Sequence, residues 1–251
     1  MATSSKTISI KLPASWGELT KSQLYYVYSL IADNLSLTQI KSYMFFKWAR
    51  VLILAREGEG YWVRRGSVKG YLPVAVVSSA IASLNWVEQF PATPVRIDEI
   101  DEHKAVDACL IGLPFGSFLS ADNYYQGYLH TQNDALLDEL AKILYQTDRI
   151  RLNKCERISI FYWFTSAKAY LSRKFSHFFQ PLTASPENLL ESADIGKRIS
   201  DAMNAQIRAL TKGDITKEKE VLEMDVWRAL TELDAQAREY EEIKRKTNGK
   251  I

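Results

Sequence analysis

Residues 20–52 read TKSQLYYVYSLIADNLSLTQIKSYMFFKWARVL, and they contain two sequence signatures of a helix start. Thr20 is followed three residues later by Gln23, and Ser36 is followed at the same spacing by Gln39. In such a capping box, each side chain accepts a hydrogen bond from the backbone N–H of the other residue. We therefore expect one helix to begin directly after Thr20 and a second directly after Ser36.

Apolar residues recur at helical spacing behind both capping boxes, as they do on the buried face of an amphipathic helix. They are Leu24, Val27, Tyr28 and Ile31 in the first segment, and Ile40, Tyr43, Met44, Trp48, Val51 and Leu52 in the second. The pattern predicts an antiparallel pair of helices near residues 21–33 and 37–56.

The remaining sequence is mainly helical in pattern, with two extended exceptions. Residues 7–12 alternate and predict a short N-terminal strand, while aromatic and branched residues near 61–72 predict a small β-hairpin. Further helices are expected near 74–90, 98–110, 122–129, 134–144, 186–210 and 217–246. The predicted fold class is mainly α: a multi-helix globular bundle with that short strand and that small hairpin.

A chain of 251 residues is long enough for one large domain or for two of ordinary size. The composition changes near residue 148, where a basic stretch begins. We expect an N-terminal helical domain with a small β element over 1–147 and a C-terminal helical domain over 148–251. A single domain is the alternative.

The overall composition is that of a globular protein, with 47% hydrophobic residues, 25% charged residues and a formal net charge of +2. It excludes wholesale disorder and a collagen-like repeat. Only two cysteines occur, which argues against a disulfide framework and favours a reducing, cytoplasmic location. No secretory signal is visible, and no apolar run approaches the roughly 20 residues that span a bilayer, so we expect no membrane association.

The sequence lacks the common catalytic motifs, among them the phosphate-binding loop, the nucleophile elbow, H-E-x-x-H and paired C-x-x-C. One weak candidate for a metal or acid–base site remains. Glu99, His103 and Asp107 would share one face if residues 98–110 form a helix. The alternative is an acidic, solvated first turn, because carboxylates complement the positive end of a helix dipole. We expect no cofactor, no bound metal and no enzymatic activity.

A basic stretch over residues 149–174 is the only pronounced charge asymmetry along the chain. Its cations are Arg149, Arg151, Lys154, Arg157, Lys168, Arg173 and Lys174. Interleaved with Tyr162, Trp163 and Tyr170, they could bind nucleic acid by phosphate contacts and base stacking. Aromatic residues at helical spacing are also typical of a core flanked by solvated cations, and that is the alternative.

The C-terminal segment 217–246 carries a narrow apolar seam on an otherwise charged helix. The seam residues are Leu222, Val226, Leu230, Leu233, Ala237 and Tyr240. Such a seam is too short for an independent coiled coil and must pack against other residues. It either belongs to the core of this chain or binds a protein partner, including a second copy; the candidate partner-binding residues are Leu222, Val226, Leu230, Leu233 and Tyr240.

Four short segments carry a resemblance to a known group of proteins: LPASWGELT at 12–20, LPFGSF at 113–118, NYYQGY at 123–128 and LDAQAR at 233–238. Together they resemble helical proteins encoded in the structural modules of tailed phages and prophages, of the tail-assembly accessory or chaperone type. The resemblance implies a non-enzymatic, cytoplasmic, protein-binding role during particle assembly, and it assigns no site residue.

The sequence as a whole predicts a non-catalytic protein-binding or assembly factor. The alternative function is an accessory nucleic-acid-binding protein that uses the basic stretch 149–174.

Overall fold

The computed structural model describes residues 10–179 and 195–248. The chain divides into two compact units, Met1–Pro91 and Ala92–Ile251. The boundary lies between Pro91 and Ala92 and not, as expected, near residue 148. Position 148 lies inside the second unit, because side chains on both sides of it belong to one hydrophobic cluster.

The first unit combines three helices with a three-stranded sheet. The helices are α1 (Lys21–Ala32), α2 (Leu37–Ala49) and α3 (Val74–Ala82), and the strands are β1 (Leu52–Glu57), β2 (Gly60–Arg65) and β3 (Val68–Pro73). Short 3-10 turns cover Trp16–Glu18 and Asn85–Glu88. The short strand expected at 7–12 falls partly on residues outside those described, and its described part, 10–12, forms no strand.

Both predicted capping boxes are present. The Thr20 backbone N–H donates to Gln23 Oε1 over 2.9 Å, and the Gln23 N–H donates to Thr20 Oγ1 over 3.3 Å. Ser36 and Gln39 repeat the same pair of hydrogen bonds. The starts of α1 and α2 are therefore confirmed, since the side chains satisfy backbone donors that the first helical turn leaves unpaired.

The predicted extension of α2 to residue 56 is wrong. The helix ends at Ala49, and Arg50 follows in the left-handed region with φ 52°. Residues 52–57 then form β1, whose backbone pairs with β2. Sheet pairing provides hydrogen-bond partners for this backbone, and it overrides the weak preference expressed by helical periodicity.

The β2–β3 pair is the predicted hairpin, and β1 adds an edge strand to it. The antiparallel order is β1-β2-β3, with Trp62 opposite Tyr71 and Val63 opposite Gly70. The register of β1 against β2 shifts between Ile53 and Ala55, which leaves Leu54 as an extra residue in a β-bulge.

The core of the first unit is built around aromatic side chains. Trp16 stacks on Tyr28 with ring centroids 5.7 Å apart and contacts Trp86 edge-on at 5.4 Å. The Trp16 indole N–H also donates to the Gln89 carbonyl over 2.9 Å. These contacts hold the segment around residue 16 against the 3-10 turn Asn85–Glu88, which follows α3 where a single helix over 74–90 was expected.

The second unit is built mainly from helices. It contains a two-stranded hairpin, β4 (Glu99–Ile100) and β5 (His103–Lys104), followed by α4 (Phe115–Thr131), α5 (Asp134–Leu144), α6 (Lys154–Lys174), α7 (Ile195–Thr211), α8 (Glu218–Glu223) and α9 (Val226–Asn248). The prediction at 122–129 lies within the longer α4, and α5 begins after Asn133, whose side chain accepts from the Ala135 N–H. The helix start expected at Ser185 lies outside the described residues.

Helix α6 contributes a large part of the core of the second unit. Its buried residues include Ile160, Trp163, Phe164, Ala167 and Leu171. Each fully buried large apolar side chain contributes roughly 1.5–3 kcal/mol by leaving water. The Trp163 indole N–H donates to the Ala108 carbonyl over 2.8 Å, so this buried polar group is satisfied.

The expected helix at 98–110 is not formed. Asp101 and Glu102 both have positive φ, 50° and 66°, and connect β4 to β5 in a tight hairpin. Two consecutive left-handed residues are what the two-residue turns of β-hairpins require, and aspartate tolerates this conformation better than most residues. The acidic run therefore supplies turn residues rather than a first helical turn.

The expected continuous helix over 217–246 is interrupted at Met224 and Asp225. Helix α8 ends at Glu223, and α9 begins at Val226 with Asp225 Oδ1 accepting from the N–H groups of Trp227 and Arg228. The break allows Met224 and Val226 to hydrogen-bond through their backbones to Phe115 and Leu113.

Candidate interaction surface

The three candidate metal-site residues do not converge. Glu99 and His103 lie on the two strands of the β4–β5 hairpin, and Asp107 lies in the following loop, where its carboxylate accepts from the N–H of Cys109 over 2.9 Å. Among the described residues, no group of three or more histidine, cysteine or acidic side chains is placed to hold a metal ion. The common helical face on which this candidate depended does not exist.

The basic stretch 149–174 is largely a core helix. Arg157 makes two hydrogen bonds to Asp138, at 2.8 and 3.0 Å, and Lys168 pairs with Asp122. The other five cations are exposed: Arg149, Arg151, Lys154, Arg173 and Lys174. Trp163, however, is buried and unavailable for stacking on a base. The stretch thus resembles the core alternative more than a nucleic-acid interface.

The C-terminal seam divides into a buried part and an exposed part. Val226, Leu230 and Leu233 are in the core of the second unit, and Leu222 packs partly against it. These residues are not free to bind a partner, because they already pack within their own unit. Tyr240 is 68% exposed and is the one candidate partner-binding residue that remains on the surface.

A different surface, in the first unit, exposes a group of large apolar side chains. They are Leu52, Ile53 and Leu54 of β1, with Trp62 of β2 and Tyr71 of β3, each between 41% and 53% exposed. We call these five residues the apolar sheet surface. All six residues of β1 are exposed, although three consecutive ones are large aliphatic residues. Exposed apolar residues gathered in this way are typical of interaction sites.

The sheet register determines how the apolar sheet surface is arranged. Leu52 lies opposite Arg64 and Trp62 lies opposite Tyr71, so these side chains share one face. Ile53 lies opposite the buried Val63 and belongs to the other face, at its edge. Leu54 lies in the bulge between them. The surface therefore wraps around the β1 margin of the sheet.

Two of its aromatic side chains are held in place by hydrogen bonds to one residue. The Trp62 indole N–H donates to the Glu57 carboxylate, and the Tyr71 hydroxyl donates to the Glu57 carbonyl over 2.9 Å. The two rings contact each other edge-on with centroids 5.6 Å apart. Because both rings are ordered before any partner arrives, binding loses little side-chain entropy.

Charge is distributed unequally between the two units. Residues 1–91 contain ten basic and five acidic side chains, whereas residues 92–251 contain twenty-two basic and twenty-five acidic ones. The formal charges are therefore +5 and −3. Four of the cations of the first unit lie on its sheet, namely Arg56, Arg64, Arg65 and Lys69. With Glu57 and Glu59 on the same segment, residues 52–73 carry a formal net charge of +2, which favours partners with negative charge.

The sequence pattern could have revealed this surface only in part. The aromatic residues near 61–72 predict the hairpin that carries Trp62 and Tyr71, but not that these two side chains are exposed. Leu52 was instead assigned to the buried face of a helix. The run Leu52–Leu54, followed by two glycines within six residues, is the signal that favours a strand ending in a turn.

Neither protein-family models, curated proteins nor solved structures gave a match to this chain. Across residues 10–179 and 195–248, no helix combines the length and the apolar character needed to cross a membrane.

Proposed function

We propose that this chain is a non-enzymatic protein-binding factor that holds its partner at the apolar sheet surface. The observation that carries the proposal is the exposure of Leu52, Ile53 and Leu54 on an edge strand. Burying such side chains against a partner would release roughly 25 cal/mol for every Å² of apolar area removed from water.

The partner that fits is a protein segment with an apolar centre and carboxylates at its margin. Aliphatic and aromatic side chains would pack on Leu52, Leu54 and Trp62. Carboxylates would lie near Arg64, which shares the face of Leu52 and Trp62, since complementary charge steers encounter and fixes orientation. The bulge at Leu54 interrupts the regular ladder of β1, so the contact is made chiefly through side chains rather than by adding a further strand.

The resemblance to tail-assembly accessory proteins of phages gives this proposal a biological setting. An assembly factor covers an apolar segment of a structural protein until that segment reaches its final neighbour. A preformed apolar surface on a sheet with a net positive charge suits such a role, because covering a segment requires no catalytic group.

The proposal is tested by selecting random displayed peptides on the full chain and on a variant carrying Ile53→Asp and Leu54→Asp. We expect the unsubstituted chain to enrich peptides with aliphatic or aromatic centres and acidic flanks. The double variant should not retain them, since two carboxylates would repel the acidic flanks and resist burial.

Leu37→Asp is the matched control, because Leu37 is 48% exposed and lies outside the apolar sheet surface, at the first residue of α2. This control should bind the selected peptides normally. Enrichment of no common motif would overturn the proposal. Sedimentation showing that Leu54→Asp abolishes self-association would assign the surface to a second copy instead, and loss of affinity only for single-stranded nucleic acid would assign it to that ligand.

A further inference from the structure

A basic and aromatic cleft lies in the first unit, at residues that the apolar sheet surface does not include. Its volume is about 730 Å³. The described residues that line it are Lys11, Thr20, Ser22, Gln23, Tyr25, Tyr26, Ser29, Lys47, Trp48 and Arg50. A cleft of this size falls within the range of small-molecule sites, roughly 300–1,000 Å³, and is much larger than a single inorganic anion needs.

The charged groups lining the cleft are all cationic. Lys11, Lys47 and Arg50 are exposed, and none of the described lining residues carries a carboxylate. None of these three cations forms a salt bridge with an acidic side chain among the described residues. Three exposed cations therefore line one cleft without a neutralising carboxylate, which favours an anionic ligand there.

Two of the cations lie at the C-terminal end of α2, and the third comes from the segment that precedes α1. Lys11 precedes the first 3-10 turn, Lys47 lies in the last turn of α2, and Arg50 directly follows that helix. Arg50 adopts a left-handed backbone conformation, with φ 52°, although glycine is the residue that fits this position without strain.

Aromatic side chains form the rest of the lining. The Lys47 ammonium lies 4.5 Å from the centroid of the Tyr26 ring, which holds this cation at the cleft. Trp48 is half-buried and Tyr25 is 39% exposed, so each presents a ring surface to a ligand. Indole and phenol rings stack on nucleobases, whatever the base, because every base has a π face.

From this combination we propose that the cleft binds a nucleotide, with its phosphates at Lys11, Lys47 and Arg50 and its base against Trp48 or Tyr25. The Ser22 hydroxyl lies at the same cleft and can donate to a phosphate or ribose oxygen, whereas the Thr20 hydroxyl already donates to Gln23 in the capping box of α1. The nucleotide is either free in solution or part of a single-stranded nucleic acid, and both sources have the same recognition chemistry. The inference is independent of the protein-binding role proposed above.

Calorimetric titration of the full chain at low salt tests the assignment with three probes: ADP, inorganic phosphate and an oligothymidylate. ADP should bind, and inorganic phosphate should bind at least about tenfold more weakly because it cannot stack. Lys47→Gln and Arg50→Gln should each weaken ADP binding about tenfold, which corresponds to the loss of one charge-assisted hydrogen bond.

Lys69→Gln is the matched control, since it removes one cation of the same unit from the sheet and should leave ADP affinity unchanged. An oligothymidylate that binds more tightly than ADP, with a salt slope that falls by about 0.7 in Lys47→Gln, indicates a single strand as the source. ADP that binds at least as tightly as the oligothymidylate indicates a free nucleotide. Absence of ADP binding at low salt, equal binding of inorganic phosphate, or equal weakening by Lys69→Gln would overturn the proposal.

Discussion

Asp225 accepts a hydrogen bond from the backbone N–H of Gly112 at 2.6 Å, and these two residues are 113 positions apart in the sequence. The acceptor is Oδ2, whereas Oδ1 of the same carboxylate accepts from the N–H groups of Trp227 and Arg228 at the start of α9. One side chain thus caps the last helix and fixes the loop that leads into α4. The backbone hydrogen bond from Val226 to Leu113, at 2.9 Å, reinforces the same junction.

Asp225→Ala should lower the free energy of unfolding by about 2 kcal/mol, because it removes a helix cap and leaves the Gly112 donor without its acceptor. Asp225→Asn should have a smaller effect, since its amide oxygen can still cap α9. Urea denaturation followed by far-UV circular dichroism measures both. Glu239→Ala, on the exposed part of α9, is the control and should change stability by less than about 0.5 kcal/mol. Equal stability of Asp225→Ala and the control would contradict the dual role of Asp225.

Gly60→Ala should destabilise the sheet of the first unit. A Cβ atom at Gly60 would lie 2.8 Å from the Leu72 carbonyl oxygen and closer still to the Tyr71 ring. Since the carbonyl belongs to a paired strand, it cannot move aside without breaking the β2–β3 ladder. We expect a loss of about 1–3 kcal/mol, as for other overpacked sites, and weaker binding at the displaced Tyr71.

The control for this change is Gly66→Asn, because Gly66 has a positive φ of 58° with no neighbouring atom within 4 Å of an added Cβ. Asparagine tolerates the left-handed conformation better than most residues. If a thermal melt finds Gly60→Ala as stable as Gly66→Asn, the sheet can shift enough to accommodate a Cβ atom at Gly60, and the prediction is wrong.

Alkaline pH should destabilise the second unit through Tyr145. Burial raises the pKa of this phenol above its ordinary value of 10.0, and the hydroxyl donates to the Ile97 carbonyl over 2.5 Å. Above about pH 10 the unfolded chain loses this proton while the folded chain keeps it, so stability falls by about 1.4 kcal/mol per pH unit for this one group until its folded pKa is reached. Below pH 10 its contribution is constant.

Tyr145→Phe should flatten this alkaline dependence while lowering stability at neutral pH by about 1 kcal/mol, the value of the lost hydrogen bond. Urea denaturation at a series of pH values provides the measurement. Tyr240→Phe, at a position that is 68% exposed, should leave the pH dependence unchanged. If both variants show the same slope above pH 10, Tyr145 does not determine it.

Arg50→Gly should stabilise the first unit and at the same time lower its affinity for a nucleotide. Glycine relieves the left-handed strain at φ 52°, which is worth roughly 1 kcal/mol. It also removes one of three cations that would contact phosphate. A higher melting temperature combined with about tenfold weaker ADP binding is the expected result. Stabilisation without any loss of affinity would remove Arg50 from the site.

Local signals predicted those parts of the fold that depend on neighbouring residues. The capping boxes at Thr20 and Ser36 placed two helix starts, because the atoms involved are at most three residues apart. The β2–β3 hairpin was also predicted, since its turn and its strands are adjacent in sequence.

Tertiary pairing decided the parts that local signals did not predict. Helical periodicity continues to Leu52, but residues 52–57 join a sheet because β2 offers a paired edge. The interruption between α8 and α9 at Asp225 depends on Gly112, which is distant in sequence, so no local pattern could predict it. The cleft depends on Lys11 and Arg50 lining one cavity although they are distant in sequence. The spacing of the hydrophobic seam left open whether its residues pack in their own chain or on a partner.

Leu54, the extra residue in β1, also bears on how the chain behaves at high concentration. A straight edge of consecutive aliphatic residues is a template on which identical molecules can stack into cross-β fibrils. The additional residue breaks the regular spacing of the backbone N–H groups along β1, so they do not align with those of a second copy. The exposed apolar edge is therefore a poor template for aggregation. The bulge that shapes this surface for a protein partner therefore also disfavours fibril growth.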